Sequence, residues 1–182
     1  MKTLLKWTVA EYHHLINTGI LVDRQTELLH GEIVEMSPES PIHTQITETT
    51  VEYLRFLLKG LAYIREAHPI TLSNSEPQPD IAIVRPPRNN YRQRHPYPED
   101  IFWLIEVANT TLAYDLGEKK QAYAQAGILE YWVVDVENQQ IYVFRHPKSD
   151  NYESEFIFRQ GKINPLAFPD ISVSVNHFFT EN

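Results

Sequence analysis

Cysteine is absent from the 182 residues. That excludes disulfides, thiolate nucleophiles and zinc sites built on cysteine. No run approaches the roughly 20 apolar residues of a membrane span. The amino terminus, MKTLLKWTVAEYHHL, lacks the long apolar core and small-residue cleavage site of a signal peptide, so the expected location is cytoplasmic. Basic residues are outnumbered, 16 Lys and Arg against 24 Asp and Glu, giving a net charge of −8. This excludes a general nucleic-acid coat protein but leaves room for a local basic site. Internal repeats, a linker and a second domain are also missing.

What remains is ordinary globular material. The chain suits one domain, residues 1–182, with a sizeable core. Ile101–Val136 organises the rest. Ile101–Val107 is a nearly continuous apolar run, the pattern of a strand buried on both faces. Glu106 interrupts it, and a carboxylate there is costly unless it is paired or holds a cation. Asn109, Thr110 and Thr111 break the run. Leu112–Ala126 then reads as helix, closed by Gly127 at the C′ position, and Glu130–Val136 as the next strand. Such a unit is a right-handed crossover between parallel strands.

On that helix Asp115, Lys119, Ala122, Tyr123 and Ala126 share one face. The alanines and tyrosine turn that face to the sheet, so Lys119 points inward and Lys120 about 100° away. Two readings stand side by side. Asp115 and Lys119 form an ordinary surface pair worth about 0.3–0.5 kcal/mol, or Lys119 answers Glu106.

Elsewhere, Thr8 and Glu11 have capping-box spacing for a helix to about Asn17. Adjacent His13 and His14 diverge and make a poor metal pair. Thr26–Met36 predicts a hairpin turning at His30-Gly31. His43–Lys59 predicts a long amphipathic helix, with His43 at its start in an undecided role. Tyr63–Glu66 and Pro69–Leu72 are short extended segments, and Asp80–Val84 is a strand opened by an aspartate. Ile141–Arg145 reads as an antiparallel edge strand, followed by strands at Phe156–Arg159 and Ile171–Val175. The Arg85–Pro98 loop holds Arg85, Arg88, Arg92 and Arg94 with Tyr91 and Tyr97 and no acid. That mixture suits phosphate and base contact, or a solvated loop.

Asp80 opens one strand, Glu106 lies 26 residues on, and Lys119 lies 13 beyond it. Neighbouring strands could bring both carboxylates to one ion, and oxygen-rich sites suit Mg²⁺ or Mn²⁺. A lysine beside them can orient or deprotonate water, or stabilise developing charge. These are tools for phosphodiester hydrolysis.

Pro79-Asp80, Glu106-Val107-Ala108 and a helical Lys119 resemble the PD-(D/E)xK nuclease superfamily. Within it the chain is similar to the Uma-two family of restriction-endonuclease-like proteins. The resemblance is carried by LLHGEIVEMSP (Leu28–Pro38), His43, PQPDIAIV (Pro77–Val84) and LIEVANTTLAYDLGEKKQAYAQAGILEYWVVDV (Leu104–Val136). It implies an α/β, restriction-endonuclease-like fold: a central mixed β-sheet flanked by helices, with an N-terminal helix and hairpin. It implies metal binding by Asp80, Glu106 and the Val107 carbonyl, with Lys119 catalytic and Glu32 as the amino-terminal acid of the site. The superfamily's usual lysine position is Ala108 here, so the resemblance implies a lysine moved to the helix.

Three readings follow. The first is a Mg²⁺- or Mn²⁺-dependent endonuclease acting on DNA, its arginine loop gripping the backbone. The second is a nuclease fold that binds nucleic acid or a protein without cutting. The third is a structural Glu106–Lys119 pair with no metal. A homodimer is expected if both strands are cut, with Ile141–Arg145 and Val173–Phe179 as interface candidates.

Overall fold

A computed structural model describes residues 4–179. The first three residues of the amino-terminal stretch considered above lie outside the described residues. Helix α1 (Val9–Asn17) starts on the expected capping box: Thr8 accepts from the Glu11 amide and Glu11 answers the Thr8 amide. The hairpin β1 (Thr26–Leu29) and β2 (Glu32–Glu35) turns through His30 and Gly31, both at positive φ. A Cβ on Gly31 would lie 2.9 Å from the Lys6 side chain, so both the turn and the close approach select glycine.

Helix α2 (Pro41–Leu57) begins two residues earlier than its apolar stripe suggests, because Ser40 caps it and Pro41 suits its first turn. Strands β3 (Tyr63–Glu66), β4 (Ile81–Val84), β5 (Ile101–Ala108), β6 (Glu130–Asp135), β7 (Gln140–Lys148) and β8 (Asn151–Phe158) form one six-stranded sheet in that spatial order. Only β5 and β6 are parallel; the other pairs are antiparallel. The crossover joining them is α3, helical from Leu112–Tyr114 through a π-helical turn at Asp115–Lys119 to Lys120–Gln125. Gly127 ends it at φ 77°. β9 (Lys162–Ile163) and β10 (Val173–Ser174) form a separate two-stranded antiparallel ladder.

Strand alternation decides what faces what. Trp103, Ile105 and Val107 join Trp132, Val134 and the α2 residues Val51 and Leu54 in one core. Leu104 and Ala108 join Tyr131, Val133 and the α3 residues Tyr123 and Ala124 in the other. Glu106 shares the parity of Leu104 and Ala108, so β5 presents it to α3. Asp80, two residues before Ala82, is on the same side.

Two expectations about edges change. Ile141–Arg145 lies within β7, which is paired on both sides, so it is not an edge. The outer strand is β8, whose first half, NYESE, is too polar to read as a strand from hydropathy. Pro69–Leu72 is buried at Ile70 and Leu72 but joins no ladder; its amides bond Pro77, Pro96 and Ser75 carbonyls instead.

Candidate active site

The carboxyl end of β5, the start of β4 and the first half of α3 meet at one cleft of about 390 Å³. Glu27, His43, Asp80, Glu106, Asp115 and Lys119 all line it. The register places Ile81 opposite Ile105, so Asp80 falls beside Glu106. Backbone amides lock the two carboxylates: Val107 N–H donates to Asp80 Oδ2 at 2.6 Å, and Asp80 N–H donates to Glu106 Oε2 at 3.2 Å.

Lys119 reaches Glu106 from α3, donating from Nζ to Oε1 at 3.0 Å, and lies 3.6 Å from Glu27. Tyr123, one turn on, donates to the same Glu106 oxygen at 2.6 Å. Asp115 and Lys119 are both buried, so they are not a surface pair. Lys120 points away, its Nζ 5.0 Å from the centre of the Phe144 ring. The π-helical turn lies over the residues that enter the cleft, a common site for this irregularity.

Charge in this cluster does not balance. Glu27, Asp80, Glu106 and Asp115 surround a single lysine. Burial pushes the Glu106 carboxyl well up; Lys119 opposes this, and Asp80 and Asp115 reinforce it. Burial alone would lower the Lys119 pKa, but Glu106, Glu27, Asp115 and Asp80 together raise it well above the ordinary lysine value. Lys119 is therefore a cation at neutral pH, and four carboxyl groups share its single positive charge. Both facts fit a site that can accept a divalent ion. The donors are oxygen-rich, as Mg²⁺ and Mn²⁺ prefer. Glu39, His43 and Asp80 also place ligand atoms within 4.8 Å of one another.

Asp115 reports this imbalance. Burial raises its carboxyl to about 6, against Lys119 and the Thr111 hydroxyl, which lower it. A carboxyl with a folded pKa above its unfolded value gives its full stability below the unfolded pKa, near 4, and loses it as pH rises through about 6. Asp115→Asn, always neutral, is expected to be more stable than wild type by about 1–3 kcal/mol at pH 8 and equal to it near pH 4. Urea melts at the two pH values check this; equal differences at both would remove the argument.

Two sequence expectations fall outside the cleft, Glu32 and the arginine loop. Glu32 lies beside the hairpin turn opposite Leu29, exposed and ion-paired with Lys6, and does not line the cleft. Two acids of the hairpin line the cleft, Glu27 and Glu35; Glu27 is the one beside Lys119, and it accepts from the Gln78 amide at 3.0 Å and from the Tyr114 hydroxyl at 3.0 Å. Its signal was an acid against two leucines in TELL, the same kind of interruption that marks Glu106. Val107 turns its side chain into the α2 core and gives its amide to Asp80. The arginine loop leaves β4 at the end opposite Asp80 and lines none of the cleft. Arg94 pairs with Asp100 and Arg85 lies over Phe102, while Arg88 lies over Tyr63 and Arg92 borders a shallow surface depression.

The sequence profile described as "Uma2: Putative restriction endonuclease" matches residues 9–176. The chain belongs to the Uma2 family. Among solved structures, it resembles one described as a "putative nuclease belonging to DUF820" from Anabaena variabilis ATCC 29413. That match has a TM-score of 0.68 and 17% identity, over 86% of this chain and 90% of the other. At that identity the likeness is one of fold: the six-stranded mixed sheet between helices is a nuclease-like architecture. No curated protein matches the chain. Among the described residues no helix is long and apolar enough to cross a membrane.

Proposed function

We propose that this Uma2 protein is a divalent-metal-dependent endonuclease that hydrolyses DNA. The observation that carries the reading is the convergence of Asp80, Glu106 and Lys119 on one cleft, with Lys119 3.0 Å from Glu106. Asp80 and Glu106, with the Val107 carbonyl, would hold Mg²⁺ or Mn²⁺, which supplies charge to the scissile phosphate and lowers the pKa of a bound water. An acidic cleft repels a phosphodiester, so a cation is also what admits the substrate.

The chain's own groups then have separate tasks. The Val107 amide and Tyr123 hydroxyl orient the two carboxylates. Lys119 is protonated, so it orients the attacking water and stabilises charge on the phosphate rather than accepting a proton. Glu27 balances Lys119 and limits its freedom. Arg88 and Arg92, exposed at the far end of β4, would contact the backbone of a longer duplex away from the cut. The protein acts from a soluble, cytoplasmic location, and a homodimer would cut both strands.

Cleavage of supercoiled plasmid with Mg²⁺ or Mn²⁺ tests the proposal. Wild type is expected to nick it only with metal, and Glu106→Ala is expected to lose at least 10²-fold in rate. Equal cutting by both proteins, or cutting in chelator, would overturn the assignment.

A further inference from the structure

His43 lines the cleft, and the proposed chemistry gives it no task. It lies in the first turn of α2, held there by the Ser40 cap. Its Nε2 is 3.1 Å from Asp80 Oδ2. Two ligands at right angles on one ion, each about 2.1 Å from it, are about 3 Å apart. Nδ1, on the other side of the ring, is buried and has no hydrogen bond. The group facing it is the Glu39 carboxylate, 3.6 Å away and four residues earlier. A metal-ligating histidine has this pattern: one nitrogen toward the ion, the other N–H directed at a carboxylate that fixes its tautomer.

We propose that His43 is a metal ligand through Nε2, sharing the cation with Asp80, and that Glu39 is the positioning residue for its Nδ1–H. This rests on the metal-dependent reading above and adds a nitrogen to an oxygen site. A nitrogen ligand changes which cation is preferred. Imidazole suits transition ions, whereas Mg²⁺ favours an all-oxygen shell. The site therefore selects Mn²⁺-class ions over Mg²⁺. Asn109 ties the arrangement to the β5 wall, donating from Nδ2 to Ser40 Oγ at 2.9 Å, so the start of α2 and the metal carboxylates keep a fixed separation.

The test is Mn²⁺ binding to the full chain without DNA, by titration calorimetry and by electron spin-echo spectroscopy of the bound ion. The wild-type complex is expected to give nitrogen modulation from one directly coordinated imidazole. His43→Ala is expected to lose that modulation and bind Mn²⁺ at least tenfold more weakly, with its preference over Mg²⁺ reduced. Glu39→Gln is expected to keep the modulation and weaken binding about tenfold, the usual cost of removing an outer partner. Absence of nitrogen modulation in the wild type overturns the proposal without relying on any variant; so does its persistence in His43→Ala. If Glu106→Gln weakens Mn²⁺ binding while the nitrogen is absent, the histidine assignment fails and the carboxylate site stands. If neither Asp80→Asn nor Glu106→Gln alters Mn²⁺ binding, the metal reading itself fails, and this inference with it.

Discussion

Lys119→Met is expected to lower cleavage roughly 10²–10³-fold and to cost about 3–5 kcal/mol of stability at pH 8. The stability loss is not the loss of one good contact. Lys119 is buried and is the sole lysine among Glu27, Asp80, Glu106 and Asp115. Methionine fills its volume but leaves those carboxylates to repel one another in a poorly solvated place. The sign with pH follows. The Lys119 pKa is raised by the fold, so its contribution is complete below the ordinary lysine value and fades only as pH rises through the raised one. At pH 8 it is fully present, and its removal is fully felt. In the variant the carboxylates can instead neutralise by taking protons, so the deficit shrinks as pH falls toward 4. Lys120→Met, on the same turn, is the control: it removes an exposed-side cation–π contact with Phe144 and should cost under about 1 kcal/mol. Urea melts at both pH values measure it. A Lys119→Met protein as stable as wild type at pH 8 would mean that the carboxylates are already neutral there.

The choice of Lys119 over Lys120 was legible because it needs only a helix phase and a packed face, and Ala122, Tyr123 and Ala126 supply both. Even the π-helical turn left that phase in place. The β5–α3–β6 unit was legible for the same reason: a strand buried on both faces cannot hide its hydropathy. Where burial does not leave a hydropathy trace, the sequence was silent. β8 is held to β7 by backbone ladder bonds, so NYESE can form strand while remaining polar. Glu27 and Glu32 occupy the same hairpin; the resemblance named Glu32, whereas Glu27 lines the cleft. Which acid faces α3 depends on how the hairpin docks, through the Leu28–Glu76 bridge, and no period in the hairpin itself encodes that. The arginine loop is kept out of the cleft for a topological reason. Antiparallel β4 and β5 send its two ends out opposite the end that carries Asp80 and Glu106. His43 and Glu39 are four residues apart, a spacing too common to mean anything until Asp80 is placed beside it.

A buried acid alone is therefore no mark of chemistry, and Glu130 makes the comparison within this chain. It is fully buried in β6, as Glu106 is buried in β5. Its oxygens accept from the Trp132 indole at 2.9 Å, Arg145 Nε at 2.9 Å and the Leu166 amide at 2.7 Å, with Arg145 Nη2 a further 2.7 Å contact. One guanidinium balances one carboxylate, and two neutral donors use the remaining lone pairs. Arg145 also donates to the Asn164 carbonyl at 2.7 Å, so the pair pins the Asn164–Leu166 connection to the sheet. Glu130→Ala strands Arg145, the indole and the amide together. It is expected to cost about 3–5 kcal/mol, which for a chain of this length lowers Tm by roughly 10–15 °C. Its effect on Mn²⁺ affinity should be none, because nothing in that network reaches the cleft. Glu106→Gln should do the reverse. It removes a carboxylate that the fold already pushes toward neutrality, so its stability change is small and its loss of metal binding large. Calorimetric melts and Mn²⁺ titrations on the two variants decide it: if Glu130→Ala weakens metal binding as much as Glu106→Gln, the cleft is not the site. The difference lies in whether the fold completes the charge itself or leaves it for an ion to complete.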